Sequence, residues 1–221
     1  MKMLIDNKSL NIADIEKHYI DEGTEVVVYK YNDMALKIYK DYCRKQRLDL
    51  DTAKELSKID TSRILLPRNI VYTENGEFIG YTTEFINSCS IDNISYMNVR
   101  DFIEELELLY ADTDKLSNYG ISMEDLYVMN MIYDGRIILH DPGSYNFVAS
   151  NSRRFLKSEN LELLNTEFIY NLIPRVVKLT SKEKKNFDRY CSYCDDYITD
   201  LMRCDVVGNE SVKTFFKRIT K

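Results

Sequence analysis

The 221-residue chain has no tryptophan, 7 glycines, 3 prolines and 2 histidines. So little glycine and proline excludes collagen-like and low-complexity architectures. No run approaches the ~18 apolar residues that cross a bilayer, and the opening MKMLIDNKSL has no apolar stretch expected to act as a secretory signal. Basic residues are in the minority, 30 against 36 acidic, leaving a formal charge of −6. That balance argues against a general binder of nucleic acid or of membrane surfaces. The 5 cysteines are odd in number and scattered at 43, 89, 191, 194 and 204, the pattern of reduced thiols in a cytoplasmic protein. What the chain does have, 44% apolar and 30% charged residues, is the composition of a folded globular protein.

Periodicity divides the chain. Residues 26–39, VVVYKYNDMALKIY, read as two strands about Asn32-Asp33. Residues 41–59 are rich in helix formers, with Leu48, Ala53, Leu56 and Ile59 loosely at helical spacing. After Pro67, Ile70–Thr73 and Phe78–Phe85 form a hairpin across Asn75-Gly76. Residues 1–86 are therefore expected to form a β-rich lobe with one helix. Residues 87–98, small and polar without a clear period, are expected to be a connector, and 99–221 a helical lobe. In the latter, Phe102, Ile103, Leu106, Leu109 and Tyr110 mark an amphipathic helix over 99–116. Met131-Ile132 and Ile137–Leu139 flank Asp134-Gly135 as a short hairpin. Leu161, Leu164, Phe168 and Leu172 make a helix expected to end near Pro174. Thr180 and Glu183 fit a capping box, opening a helix that carries Phe187, Tyr190, Cys191, Cys194, Ile198 and Leu201 on one face. SVKTFFKRITK reads as a last short helix.

The chemistry concentrates in GISMEDLYVMNMIYDGRIILHDPGSY, residues 120–145. Asp125 and Asn130 lie five apart on an expected loop, a hairpin follows, and Asp141-Pro142-Gly143 comes next. The hairpin's two ends thus deliver three oxygen-bearing side chains to one place. Magnesium prefers oxygen ligands and takes few from protein when phosphates supply the rest. Asn130 and Asp141 suit that task, leaving Asp125 to orient a hydroxyl and accept its proton.

These residues resemble those of the protein-kinase family: Asp125-Leu126-x-x-x-Asn130 is similar to its catalytic loop, and Asp141-Pro142-Gly143 to its D-F-G motif. Upstream and in the same order, Met34-Ala35-Leu36-Lys37 resembles V-A-I-K, and Glu55 stands where the family keeps that lysine's ion-pair partner. Thr83-Glu84-Phe85 resembles the gatekeeper and hinge, and Gly23 with Val28-Tyr29-Lys30 the end of the phosphate-covering loop. The resemblance implies an α+β, bilobal kinase-like fold, with an N-terminal antiparallel sheet plus helix and a reduced helical C-terminal lobe. It implies ATP and magnesium as cofactors, with Asp125 and Lys37 as catalytic residues. Lys37, Glu55, Gly23, Val28, Ala35, Thr83, Glu84 and Phe85 would bind nucleotide, and Asn130 and Asp141 the metal. The partner it implies is a polypeptide hydroxyl, the chain's own included.

Departures from the pattern keep other readings open. Asp21 and Val26 stand where two loop glycines belong, Met123-Glu124 replaces His-Arg, and Pro142 replaces the Phe of D-F-G. No A-P-E follows, and 78 residues remain after Gly143. A silent nucleotide-binding or interaction module, or a small-molecule kinase on the same fold, fits these departures. Taken singly, each motif residue is also an ordinary strand lysine, helix glutamate or turn former. Cys191-x-x-Cys194 with Cys204 could suggest zinc, but at helical spacing on an apolar face such thiols read as small hydrophobes.

Overall fold

β-Branched and aromatic runs build the first third of the molecule into a larger sheet than the sequence pattern suggests. The computed structural model describes residues 2–5, 8–43, 48–124, 126–148, 152–193 and 197–221. Seven strands, β1 (Lys2–Ile5), β2 (Lys8–Asn11), β3 (Tyr19–Glu22), β4 (Val26–Tyr31), β5 (Met34–Tyr39), β6 (Asn69–Thr73) and β7 (Phe78–Glu84), pair antiparallel in the order β2-β1-β6-β7-β5-β4-β3. The expected β4–β5 and β6–β7 hairpins are present, the first turning at Asn32 with φ 53°, a left-handed conformation that asparagine tolerates. Strands β1, β2 and β3 escape sequence reading because they are four residues long. KSLN and YIDE occupy the two sheet edges, each with too few apolar residues to show an alternating pattern: Leu10 alone in the first is half-buried, and the second is exposed throughout.

Residues alternate between the two faces of the sheet. Leu36 and Ile38 of β5 join Met3, Ile5, Val71 and Ile79 in a closed apolar layer. That layer is covered by Ile15 of helix α1 (Ile12–Ile15). The opposite face carries Tyr39 and Tyr81 into a second, larger core shared with the helices.

Helix α2 (Leu50–Leu56), capped by Asp49, is shorter than the helical stretch expected over 41–59. A single 3-10 turn at Asp41–Cys43 precedes it. Residues 87–98 are also more than a connector: a 3-10 helix spans Ile91–Tyr96 and buries Ile91 and Ile94. Its three-residue repeat matches neither the α nor the β period, so the segment reads as patternless. Helix α3 (Val99–Tyr119) buries the predicted stripe, begins at the Asn98 cap and ends at Gly120 with φ +84°.

Strand β8 (Ile121–Ser122) pairs with β11 (Asn146–Phe147), and β9 (Met131–Tyr133) with β10 (Ile137–Leu139). Helix α4 (Arg153–Thr166) continues through a π-helical turn at Glu167–Leu172 into α5 (Ile173–Val177). Pro174 therefore does not end the helix. It stands immediately after a widened turn, where the regular backbone ladder is already interrupted and a missing N–H costs little.

Thr180 and Glu183 form the expected capping box on α6 (Ser181–Cys191). The single long helix expected beyond it is instead two, α6 and α7 (Ile198–Asp205), while Cys194 lies outside the described residues. Helix α8 (Val212–Ile219) buries Phe215 and Phe216, the latter packed edge-on against Phe102 and Phe187. Among the described residues no helix is long and apolar enough to cross a membrane.

Candidate functional site

The sheet register gathers several of the predicted residues. Val28 pairs with Lys37, Lys37 with Tyr81, and Ala35 with Thr83, so all five share the face turned toward the helices. Lys37 is only 6% exposed. Its Nζ donates to the His140 carbonyl at 2.5 Å, stands 3.8 Å from Asp141 Oδ1 and lies 5.8 Å from the Tyr81 ring centre. Beside it stands Gly80, which belongs to none of the motifs. A Cβ there would sit 2.1 Å from the Lys37 carbonyl oxygen, so only glycine lets β7 close on β5 at this point.

Burial sets the protonation chemistry of this face. It pushes the Lys37 ammonium below the ordinary lysine value, while the Asp141 carboxylate pulls the other way through charge and hydrogen bonding. His140 is lowered first by burial and then by the Lys37 charge. The Tyr81 and Tyr145 phenols are raised, chiefly by burial and also by Asp141, so both remain protonated.

A cleft of about 500 Å3 opens between this face and the helical part. Gly23 and Glu25 line it from the β3–β4 turn, Tyr39 and Tyr81 from the sheet, and Asn130 and Asp141 from the two ends of the β9–β10 hairpin. The turn is short and tethered. Gly23 N donates to Val26 O, Lys40 Nζ donates to Gly23 O at 2.7 Å, and Tyr42 Oη donates to Thr24 O at 3.0 Å. Asn130 ends a 3-10 turn over Val128–Asn130, and its carbonyl accepts from His140 N at 3.0 Å. That bond holds the two hairpin ends together. Gly143 N donates to Asp141 Oδ1 at 3.3 Å.

Asp125 lies outside the described residues. The chain on either side of it is well anchored. Met123 N donates to Asn160 Oδ1 at 2.8 Å, Ser144 Oγ donates to the Glu124 carbonyl, and Val128 N donates to Glu167 Oε1. Asn160 and Glu167 are buried, and neither belongs to a recognised motif. Their signal in the sequence is a polar residue at the apolar phase of a helix: Asn160 stands four residues from both Leu156 and Leu164. Asp112 shows the same signal between Leu109 and Leu116. Its buried carboxylate accepts from the backbone N–H groups of Ser62 and Arg63, tying α3 to the loop before β6.

Other predicted residues stand apart from this cluster. The Glu55 carboxylate accepts at 2.6 Å from Lys58, which lies just past the end of α2, and not from Lys37. Thr83 is buried, with its hydroxyl on the Glu84 carbonyl at 3.3 Å. The Glu84 side chain turns away to Arg68 and Arg136, at 3.4 and 3.6 Å. It borders a separate cavity of about 180 Å3 formed with residues 57–68. Phe85 donates its N–H to Asp33 O and lies under Lys30, whose amine is 4.4 Å from the ring centre. Among the described residues no group of three or more His, Cys, Asp or Glu side chains gathers as a metal site, and Cys43, Cys89 and Cys204 are free thiols.

A scan of the chain against protein-family models found no match, and a search among curated proteins found none.

Proposed function

We propose that the chain is an ATP-dependent phosphotransferase acting on a hydroxyl of a polypeptide, its own hydroxyls included. The observation that carries this reading is the meeting of Lys37, from β5, with Asp141, which lines one cleft together with Asn130 from the two ends of the β9–β10 hairpin. Buried lysines are costly, and this one stands beside the Asp141 carboxylate, which with the Asn130 amide would suit a phosphate-bound magnesium ion: two oxygen donors, with room for water and phosphate to complete the shell.

In this reading Lys37 holds the α and β phosphates, Asn130 and Asp141 hold the metal, and Val28 and Ala35 offer an apolar surface to the base. The backbone of Glu84 and Phe85 borders that surface, and the Gly23 turn covers the phosphates. Asp125 orients the acceptor hydroxyl and takes its proton as the new P–O bond forms and the bond to ADP breaks. Bound magnesium supplies charge neutralisation along that coordinate.

A second reading, a nucleotide-binding module without transfer, draws on Glu55. Its carboxylate is engaged by Lys58, leaving Lys37 without the glutamate partner that the resemblance implies. Intact mass after incubation with Mg-ATP separates the two. Transfer predicts phosphate-sized additions in the wild type and none in Asp125→Ala or Asp141→Asn. Nucleotide binding without any mass addition, and without ATP turnover on adding small-molecule acceptors, favours the silent module. An AMP-sized addition assigns the cleft to nucleotidyl transfer.

A further inference from the structure

Glu167 is a buried carboxylate, 4% exposed, whose two partners are the Val128 backbone N–H and the Asn171 side-chain amide at 2.6 Å. Both are neutral donors. Removing a carboxylate from water with neutral partners costs free energy that needs a compensating role. Two further features point to that role. Glu167 opens the π-helical turn, a rare distortion often found next to functional sites. Its target is the first N–H of the 3-10 turn ending in Asn130, a turn that receives no side-chain cap from Tyr127. The carboxylate thus caps that turn from outside, and the turn presents Asn130 to the cleft while the Asn130 carbonyl holds His140 beside Asp141.

We infer that Glu167 is a positioning residue, which fixes the 128–130 turn so that Asn130 and Asp141 face each other at the separation the phosphotransfer site requires. This rests on the proposed phosphotransferase reading. Glu167 touches neither nucleotide nor acceptor, and it acts through the Val128 amide. The widened turn gives this role a physical basis, since it changes the helical phase and brings Glu167 inward alongside Phe168 and Ile169.

The test combines steady-state transfer kinetics with amide hydrogen exchange on three variants of the full chain. Glu167→Ala removes the acceptor, Glu167→Gln keeps an acceptor oxygen without the charge, and exposed Asn171→Ala frees one carboxylate oxygen without emptying the core. The inference expects Glu167→Ala to lower kcat by about 10–100-fold, as loss of a supporting partner does in metal sites. It expects KM for ATP to be unchanged and exchange to quicken in the peptide spanning 126–131. Glu167→Gln should recover most of kcat, and Asn171→Ala should lose less in the same direction. If Glu167→Ala does not fold, the Gln and Asn171→Ala variants carry the same comparison. Unchanged exchange at 126–131, or kcat and KM worsening together without rescue by Gln, overturns the positioning role while leaving the transferase reading intact. A wild type that binds Mg-ATP but never transfers phosphate overturns both, and faster exchange in the variants would then mark Glu167 as purely structural.

Discussion

The two faces of the seven-stranded sheet come from the same strands and are built to opposite standards. On one, Leu36, Ile38, Val71 and Ile79 close with Met3, Ile5 and Ile15 into an apolar layer. On the other, Lys37, Thr83, Tyr39 and Tyr81 place polar atoms in nearly the same degree of burial. The first face is satisfied by packing alone, which is non-directional and tolerant of the exact partner. On the second, Lys37 and Thr83 are satisfied individually: Lys37 through the His140 carbonyl and Asp141, Thr83 through the Glu84 carbonyl. Along β5 the two standards alternate residue by residue. Neighbouring substitutions in one strand should therefore fail in different ways.

The largest effect on folding is expected from Leu36→Ala, which empties a fully buried site on the apolar face. Denaturant unfolding should show a loss of about 2–5 kcal/mol. Nucleotide affinity of the remaining folded fraction should not change, because Leu36 points away from the cleft. A parallel loss of nucleotide affinity would break the proposed independence of the faces.

One residue further on, Lys37→Met should do the reverse. Exchanging a buried, incompletely paired charge for an apolar chain of similar length should leave stability equal to wild type or higher by about 1–4 kcal/mol, while nucleotide binding is lost. The pH dependence sharpens this. Burial holds the folded-state value of Lys37 below that of the unfolded chain, so at any pH below the folded-state value both states are charged and the wild type carries the whole penalty. As pH rises through the interval between the two values, the folded state gives up its proton first and the wild type gains stability. The gap between Lys37→Met and wild type should therefore narrow on the alkaline side. His140, Asp141 and Tyr81, the titratable groups facing the amine, are present in both proteins. A gap that widens with pH would contradict the assignment.

The smallest effect is expected on neither face. Arg203 makes a two-pronged ion pair with Glu107 at 2.6 Å, both side chains being well exposed. Arg203→Ala should change stability by no more than about 1 kcal/mol, and less at high salt. A loss comparable with that of Leu36→Ala would mean that the helical surface, and not the apolar face, governs folding.

Much of this was legible in the chain. Hairpins with a strong period and a turn signal, such as 26–39 and 70–85, were clear because alternation and turn chemistry agree locally. The α3 stripe and the α6 capping box were clear for the same reason. The edge strands β2 and β3, the 3-10 helix over 91–96 and the π turn were not, because each is short or has a period that neither template contains. The long helix drawn through Pro174 shows a related limit: a helix-breaking residue is tolerated where the ladder is already broken, and only the neighbouring turn reveals that it is.

The site divides along the same line. Sequence by itself determined the α+β composition, the alternation that places Val28, Ala35 and Lys37 on one face, and the hairpin whose ends bear Asn130 and Asp141. These follow from contacts between near neighbours in the chain. Only the tertiary structure decided that Lys37 meets Asp141 across 104 positions, that Glu55 turns to Lys58, that Gly80 must be glycine, and that Asn160 and Glu167 hold the loop around Asp125 from a distant helix. A buried polar group takes whichever partner folding brings within hydrogen-bond reach, and no local pattern encodes that choice.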